Sequence, residues 1–278
     1  MLEHTFCHIP GLGPKTERRL WQAGISCWDD WREPPPVAMK TACPAEIPVL
    51  LASSRQALAA DPSFFTGRLA ASEHWRIFPH YRDAIAYLDI ETTGLADEAE
   101  ITTIAVYDGD AVTTFVNGED LLLFPAFIDR FQVLVTYNGK GFDVPFLERF
   151  FRIRLTQAQI DLRYVLARLG FKGGLKGCER GLGINRGALD GVDGYFAVLL
   201  WNEYRHTGDR RVLDTLLAYN IEDTVNLERL AVEAYNRNVA ATPFAAALSL
   251  DRPVPPSLPY NPDLDVIERV RRKYRSGW

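Results

Sequence analysis

The spacing of apolar and polar positions changes along the chain, and each change marks a predicted element. Short apolar or alternating runs at AIAYLDIE (84–91) and ITTIAVYDGDAVTTFVNG (101–118) predict three strands in series, with a turn at Asp108-Gly109. Shorter strand patterns at QVLVTYN (132–138) and QIDLR (159–163) alternate with amphipathic helical segments. A three-stranded antiparallel meander followed by alternating helices and strands predicts an α/β domain with a mixed sheet flanked by helices.

Shifts in composition divide the chain into four predicted parts. Residues 1–33 are expected to form a small all-α element, and the prolines that follow it disfavour a continuous helix, so 34–79 is expected to be a linker with a short helical segment. The α/β domain is expected to span 80–238. Residues 239–278 are expected to form a proline-rich strap or linker that ends in a short basic helix.

The overall composition is that of a protein with a substantial core and no membrane segment. The 278 residues are 47% hydrophobic, but no apolar run is long enough to span a bilayer and the N-terminus lacks signal-peptide features, so a cytoplasmic location is expected. The net charge of -5 argues against binding nucleic acid by bulk charge but permits a local basic track. The cysteines lack C-x-x-C spacing and are expected to be reduced thiols; they are Cys7, Cys27, Cys43 and Cys178.

Two carboxylates stand one residue apart at the end of the first predicted strand. Asp89 and Glu91 project from the same face of that strand, while Leu88 and Ile90 point to the other face. Two adjacent like charges repel each other unless a cation compensates them, and hard divalent ions such as Mg²⁺ bind carboxylate oxygens. The pair is therefore a candidate metal site, with a solvated strand end as the alternative.

Two further segments carry candidate acidic residues. In TYNGKGFDVPFLERF, an apolar strand gives way to Asn138, two glycines and then Asp143 at a helix start, where an Asp also serves as an N-cap. In LLAYNIEDTVNLERL, Tyr219 and Asp223 stand four residues apart, which places a phenol and a carboxylate on one helix face. A pair on the solvent-exposed side of a helix is the alternative for this third segment.

The order and spacing of these three segments resemble those of the DEDD exonucleases, a family of the ribonuclease H-like superfamily, over residues 80–235. Asp89 and Glu91 in LDIETTGL match the first motif of that family. Its second motif, an Asn followed by an aromatic residue and an Asp, matches Asn138, Phe142 and Asp143. Its third motif, Tyr-x-x-x-Asp, matches Tyr219 and Asp223 and indicates the tyrosine branch of the family.

The resemblance implies a ribonuclease H-like fold and a site for two divalent ions, Mg²⁺ or Mn²⁺, held by four carboxylates. Two such ions activate a water and stabilise the charge that develops during phosphodiester hydrolysis. Asp89 would bridge both ions, Glu91 and Asp223 would complete one site, and Asp143 would serve the other, directly or through water. Tyr219 would orient or deprotonate the attacking water. The expected metal ligands are Asp89, Glu91, Asp143 and Asp223, and Tyr219 completes the catalytic set.

Several other residues are candidates for contact with nucleic acid or for support of the site. The resemblance places the backbone around Thr92, Thr93 and Leu95 against the terminal nucleotide. Asp161 is expected to lie outside the metal shell, as a supporting or capping residue. The glycine-rich segment GFKGGLKGCERGLGINR offers four cations as phosphate contacts, with a solvated helix face as the alternative; these are Lys172, Lys176, Arg180 and Arg186.

The N-terminal stretch HIPGLGPKTERRLWQAGI resembles a helix-hairpin-helix element. Ile9, Gly11 and Gly13 fit its hydrophobic-x-Gly-x-Gly hairpin, and the N–H groups of the following helix would bind a phosphate near Lys15. Packing of this element against the α/β domain is the alternative. Trp21, Trp28 and Trp31 are expected to lie in the core. The expected nucleic-acid contacts are Thr92, Thr93, Leu95, Asn138, Lys176, Gly11, Gly13 and Lys15.

The basic C-terminal segment offers a further candidate contact for nucleic acid, with a mobile tail as the alternative. Its cations are Arg269, Arg271, Arg272, Lys273 and Arg275.

These patterns together predict a metal-dependent nuclease. The resemblance favours a 3′–5′ exonuclease on single-stranded DNA ends, in a setting such as DNA repair, and the hairpin-like element favours DNA over RNA. The alternatives are an RNA exonuclease, a structure-selective endonuclease with the same metals, and a non-catalytic adaptor that binds nucleic acid.

Overall fold

A computed structural model describes residues 1–39, 44–96 and 98–275, so Cys43 lies outside the described residues, as does the side chain of Arg275. Five strands form one sheet: β1 (Ile85–Thr92), β2 (Ile101–Tyr107), β3 (Val112–Val116), β4 (Val133–Thr136) and β5 (Ala158–Asp161). Their order is β3-β2-β1-β4-β5. The first three strands are antiparallel neighbours, and β4 and β5 run parallel to β1. The predicted α/β fold with a mixed sheet is confirmed.

The described helices surround this sheet. They are α1 (Pro14–Gln22), α2 (Ile47–Leu58), α3 (Pro62–Thr66), α4 (Phe124–Ile128), α5 (Asp143–Phe151), α6 (Leu162–Arg168), α7 (Gly174–Gly181), α8 (Gly194–Thr207), α9 (Arg210–Val239), α10 (Ala245–Leu248) and α11 (Leu264–Arg275). Helix α9 lies along β1 and β2. Among the described residues, no helix is both long and apolar enough to cross a membrane.

Alternation along β1 decides which residues reach the candidate site. Leu88 and Ile90 pack into the apolar layer shared with α4 and α5, whereas Tyr87 packs into the layer that includes α9. Because side chains alternate across a strand, Asp89 and Glu91 continue the Tyr87 face toward α9. The alternation of side chains along β1 therefore directs the two carboxylates toward α9.

The segments before β1 share the core of the sheet. Phe6, Leu20, Trp28 and Phe65 belong to the same buried cluster as residues of β1, β4 and β5. Trp21 and Trp28 are buried, as expected, and their indole N–H groups donate to the backbone oxygens of His4 and Thr5, at 2.9 and 2.7 Å. The N-terminal part is thus packed on the α/β domain.

The last described helix, α11, is docked on the protein. Val266, Ile267 and Val270 of α11 are buried against α8 and α9. Arg269 forms an ion pair with Asp209 at the start of α9, with Nη2 and Oδ2 2.7 Å apart. The basic segment is therefore held on the protein surface by apolar contacts and by ion pairing.

Candidate metal centre

Three carboxylates converge beside the end of β1. One oxygen from each of Asp89, Glu91 and Asp223 lies within 4.8 Å of the others. The regular pairing of β1 with β2 shifts after Glu91, so that Thr92 pairs with Ile101. This irregularity ends the strand just beyond the acidic pair. The solvated strand end and the solvent-exposed helix pair are therefore wrong as readings, because Glu91 and Asp223 are buried.

Asp143 reaches the same place from α5. It is the first residue of that helix, but its Oδ1 accepts a hydrogen bond from the backbone N–H of Ile90 on β1, at 3.3 Å. No side chain caps the N-terminus of α5. Burial raises the pKa of the Asp143 carboxyl to about 7. Asp143 therefore serves the cleft and not the helix cap that was its alternative.

The electrostatics of the cluster favour a bound cation. Burial raises the pKa of Asp89 well above its ordinary value, and the neighbouring carboxylates raise it further. Burial and the charge of Asp223 do the same for the pKa of Glu91. Such groups take up either protons or a compensating cation, and carboxylate oxygens are ligands for Mg²⁺ and Mn²⁺. The donor set thus fits hard divalent ions.

Lys176 and Arg186 flank Asp223 on its two oxygens. The ammonium group of Lys176 donates to Asp223 Oδ2 and to the Tyr219 hydroxyl oxygen, each at 2.6 Å. Arg186 forms an ion pair with Asp223 Oδ1, and its Nη1 lies 2.9 Å from Glu179 Oε1. Lys176 therefore contacts two proposed catalytic residues directly. Arg186 is buried, so the solvated helix face is wrong for this residue.

Tyr219 is almost completely buried between these charges. Lys176 Nζ lies 4.7 Å from the centre of its ring. Burial raises the pKa of the Tyr219 hydroxyl, and the charges of Asp223, Glu91 and Asp89 raise it further. Without a metal ion in the cluster, these charges and the burial favour the protonated phenol.

Asp161 holds the loop that presents Asp143. Its carboxylate accepts from the backbone N–H of Asn138 at 2.8 Å and of Lys140 at 3.2 Å, and it also caps α6 through the N–H of Arg163. Asn138 adopts φ +67°, a conformation that asparagine tolerates better than most residues. Asp161 therefore lies outside the carboxylate cluster, as expected, and supports it.

An open cleft of about 450 Å³ contains the carboxylates. Thr92, Leu95 and Asn138, which the sequence predicts to contact nucleic acid, line it, and so does Tyr195 of α8. Leu95 is 86% exposed and Tyr195 is 62% exposed. Thr93 is instead engaged in the turn after β1, where its backbone N–H donates to the oxygen of Glu100 at 2.9 Å.

The N-terminal candidates lie apart from the cleft lining. Gly11, Gly13 and Lys15 are exposed at the turn that leads into α1. Gly11 has φ +82°, which suits glycine, but the helix before this turn is one 3₁₀ turn, Leu2–His4, so the described element has one α-helix. Its other face packs on the core, as the alternative reading proposed.

Sequence reasoning missed three residues of this site. Asn220 donates to Asp89 Oδ2 at 2.8 Å, Tyr195 lines the cleft, and Glu179 binds Arg186 in the interior. A signal for Asn220 was its place between Tyr219 and Asp223 in YNIED. Tyr195 and Glu179 carry no comparable signal, because their roles depend on contacts across the fold.

Comparison with known proteins agrees with this architecture. The model of the RNase_H superfamily matches residues 86–235, more than half of the chain. No curated protein sequence matches the chain. A family B DNA polymerase from the hyperthermophilic archaeon Pyrobaculum calidifontis is similar in structure with a TM-score of 0.44 and 18% identity, over 60% of this chain and 27% of that chain. The matched region thus spans about a quarter of the polymerase. From the superfamily match, the chain belongs to the RNase_H superfamily.

Proposed function

We propose that this protein is a metal-dependent nuclease that removes nucleotides from the 3′ end of single-stranded DNA. The observation that carries the proposal is the convergence of carboxylates from β1, α5 and α9 in one open cleft. Members of the RNase_H superfamily are generally nucleases. Metal-assisted phosphodiester hydrolysis needs a cluster of this kind, because the reaction develops negative charge on phosphate and leaving oxygens.

The four carboxylates divide naturally between two divalent ions, Mg²⁺ or Mn²⁺. In this proposal Asp89 would serve both ions, Glu91 and Asp223 would complete one set of ligands, and Asp143 would belong to the other. Bound there, the ions would activate water and stabilise the charge that develops on the phosphate. The raised pKa values of Asp89 and Glu91 support this assignment, because burial and neighbouring carboxylates raise them and Lys176 only partly offsets this.

Tyr219 acts in this scheme by orienting the attacking water. Lys176 donates to the Tyr219 oxygen, so the phenolic O–H remains free to donate to a phosphate oxygen or to water. In the metal-free cluster the raised pKa of the phenol is consistent with this donor role. Lys176 would thereby fix the tyrosine hydroxyl and carry positive charge beside the reacting phosphate.

Two side chains of the cleft support the proposal that the substrate is single-stranded. Leu95 and Tyr195 are exposed apolar surfaces at its lining, and stacking of bases on such side chains tolerates any sequence. The 3′–5′ polarity rests on the resemblance of the three motifs to the tyrosine branch of the DEDD exonucleases. DNA is favoured because the turn at Gly11, Gly13 and Lys15 resembles a helix-hairpin-helix phosphate site, and DNA repair is a setting that fits.

A cleavage assay tests this proposal. Single-stranded DNA and RNA oligonucleotides labelled at the 5′ end are incubated with the protein and Mg²⁺ or Mn²⁺, beside the Asp89→Asn variant. Asp110→Asn is the matched control, since Asp110 is exposed at the turn between β2 and β3. We expect a ladder of DNA products that shorten from the 3′ end, made by wild type and by the control but not by Asp89→Asn.

Other outcomes identify the alternatives. Shortening of RNA but not of DNA indicates an RNA exonuclease, and internal cuts indicate an endonuclease. Binding of oligonucleotides without any product, at every metal concentration tested, indicates an adaptor and contradicts the proposal.

A further inference from the structure

Asn220 is a fully buried amide that joins α9 to the two central strands at the level of Asp89. Its Nδ2 donates to Asp89 Oδ2 at 2.8 Å and to the Asp89 backbone oxygen at 3.2 Å. Its Oδ1 accepts from the Thr103 hydroxyl of β2 at 3.0 Å. Both amide N–H groups are thus directed at one residue, which is the proposed shared ligand of the metal site.

The donors and acceptors leave one consistent arrangement. A flipped amide would place the Asn220 carbonyl against a carboxylate, where two acceptors repel each other. Rotation of the Asp89 carboxylate would leave a buried N–H without an acceptor, which costs about 1–3 kcal/mol. Among the described residues, hydrogen bonds to the Asp89 side chain involve Oδ2, so Oδ1 stays available to a cation.

Asn220 also holds Asp89 without cancelling its charge. Asp223, by contrast, lies between the cations Lys176 and Arg186. A neutral amide orients a carboxylate through hydrogen bonds and leaves its negative charge for a metal ion. Asp89 therefore keeps its charge available to a metal ion, whereas the charge of Asp223 is already paired.

From this geometry, and on the basis of the proposed function, we infer that Asn220 is a positioning residue that presents Asp89 to the divalent ions. It acts through Asp89, because Asn220 is fully buried and is not part of the cleft lining. A purely structural tie between α9 and the sheet would affect folding stability and leave metal affinity unchanged.

Mn²⁺ affinity, measured by electron paramagnetic resonance, separates these two roles. Asn220→Ala removes both donors to Asp89. Asn238→Ala is the matched control, because Asn238 is a buried asparagine of the same helix whose Nδ2 donates to the Ala234 oxygen at 2.8 Å. We expect Asn220→Ala to weaken Mn²⁺ binding by about tenfold, and Asn238→Ala to lose stability while it binds Mn²⁺ as wild type does.

Thr103→Val is a second variant that keeps side-chain shape and leaves both Asn220 donors in place. Without the hydroxyl that fixes Asn220 Oδ1, we expect a smaller loss of Mn²⁺ affinity. Wild-type affinity in folded Asn220→Ala overturns the inference, as does wild-type affinity in Thr103→Val should the alanine variant fail to fold. A wild-type protein that cleaves no oligonucleotide but binds Mn²⁺ contradicts only the proposed function, and one that takes up no Mn²⁺ contradicts both.

Discussion

At the scale of single residues, the candidate metal centre sets four carboxylates against two cations. Lys176 and Arg186 contact opposite oxygens of Asp223. Arg186 is further fixed in the interior by Glu179, whereas the Lys176 side chain is partly exposed at the cleft. The positive charge of Lys176 is therefore the one that most directly repels a divalent ion at Asp223.

Replacing Lys176 by methionine should change metal binding and turnover in opposite directions. The variant keeps the length of the side chain but loses its charge, so Mn²⁺ should bind more tightly because repulsion is removed. Turnover should fall by about tenfold or more, since Tyr219 loses the donor that fixes its hydroxyl. Mn²⁺ titration and the oligonucleotide assay measure the two effects.

Lys172→Met is the control for this change, because Lys172 is an exposed lysine on the preceding loop. It should bind Mn²⁺ as wild type does. Weaker Mn²⁺ binding by Lys176→Met, or undiminished turnover, would show that Lys176 does not have this place in the reaction.

Motif spacing predicted the acidic residues and Tyr219 but not the contacts between them. The carboxylates fall at positions of predicted strands and helices that can be recognised in the sequence. Lys176, by contrast, meets Tyr219 and Asp223 across 43 and 47 residues of chain. Nothing local distinguishes such a lysine from a solvated one, so sequence alone left its role open.

At the scale of elements, the loop between β4 and α5 depends on a close approach of backbone to side chain. A Cβ atom added at Gly139 would lie 2.2 Å from Oγ1 of Thr136 and 2.5 Å from its Cβ. The loop carries Asn138 at one end and leads to Asp143 at the other. Gly139 is therefore required by packing and not only by the turn.

Gly139→Ala should destabilise the protein by about 1–3 kcal/mol, the usual range for overpacking in a tight interior. It should also lower cleavage activity, because the overlap is relieved by movement of the loop that places Asp143. Urea denaturation and the cleavage assay measure both effects. Gly13→Ala is the control, as no atom lies within 4 Å of an added Cβ there; equal stability of the two variants would refute the packing argument.

His8 gives the N-terminal element a pH-dependent contact with α2. Its Nε2 lies 2.8 Å from the Ser54 hydroxyl oxygen, and that hydroxyl donates to the Leu50 oxygen, so the imidazole is the donor in this bond. Burial lowers the pKa of His8 from 6.5 to about 3. The imidazole ring of His8 is therefore neutral in the folded protein.

The free energy of unfolding should consequently fall as pH drops below 6.5. The unfolded chain takes up a proton at His8 and the folded chain does not, which costs up to about 1.4 kcal/mol per pH unit until pH 3 is approached. Denaturation of wild type and His8→Gln at pH 7 and pH 5 measures this loss. The variant should lose less stability over that interval, and exposed His80→Gln should lose as much as wild type; identical slopes in all three proteins would exclude His8 as the cause.

Strands were easier to predict than the packing of the helical parts. The turn at Asp108-Gly109 and the order of strand patterns sufficed for the meander, which the structure confirms. The N-terminal hairpin was expected between two helices, but among the described residues only the one 3₁₀ turn Leu2–His4 precedes it and the α-helix α1 follows it. The positions of Gly11 and Gly13 indicate the turn before α1, whereas the length of the helix before that turn depends on how it packs.

At the scale of the whole molecule, a buried ion network ties the N-terminal element to the α/β domain. Arg76 binds Glu17 of α1 and Glu73, with closest N–O distances of 2.8 Å in both pairs. Glu17 also accepts from the backbone N–H of Phe6 at 2.7 Å. Glu73 in turn forms an ion pair with Arg168 of α6.

Glu17→Ala should destabilise the entire protein and not only its N-terminus. Loss of one partner from a buried ion pair costs about 3–5 kcal/mol, since it leaves charge and backbone donors uncompensated. Urea unfolding followed by circular dichroism and by tryptophan fluorescence should give one shared transition at lower urea. Exposed Glu3→Ala is the control and should unfold as wild type does; separate transitions in Glu17→Ala would mean that the two parts fold independently.

The sequence alone did not predict that this ion network couples the N-terminal element to the α/β domain. Glu17 and Arg76 are 59 positions apart, and Arg76 lies in the stretch 34–79 that composition predicts to be a linker with a short helical segment. The hairpin motif also suggests an element that binds nucleic acid independently of the α/β domain. The structure instead holds its exposed turn at a fixed place on the molecule, because the opposite face of the element belongs to the common core.

The central claim is that the carboxylates of three distant segments form one binding site for divalent ions. Mn²⁺ titration of wild type and Asp89→Asn, followed by electron paramagnetic resonance, tests it most directly. The account predicts saturable Mn²⁺ binding by wild type and binding weaker by about tenfold or more in a folded Asp89→Asn variant. Absence of saturable binding by wild type, or equal affinity in the two proteins, would contradict it.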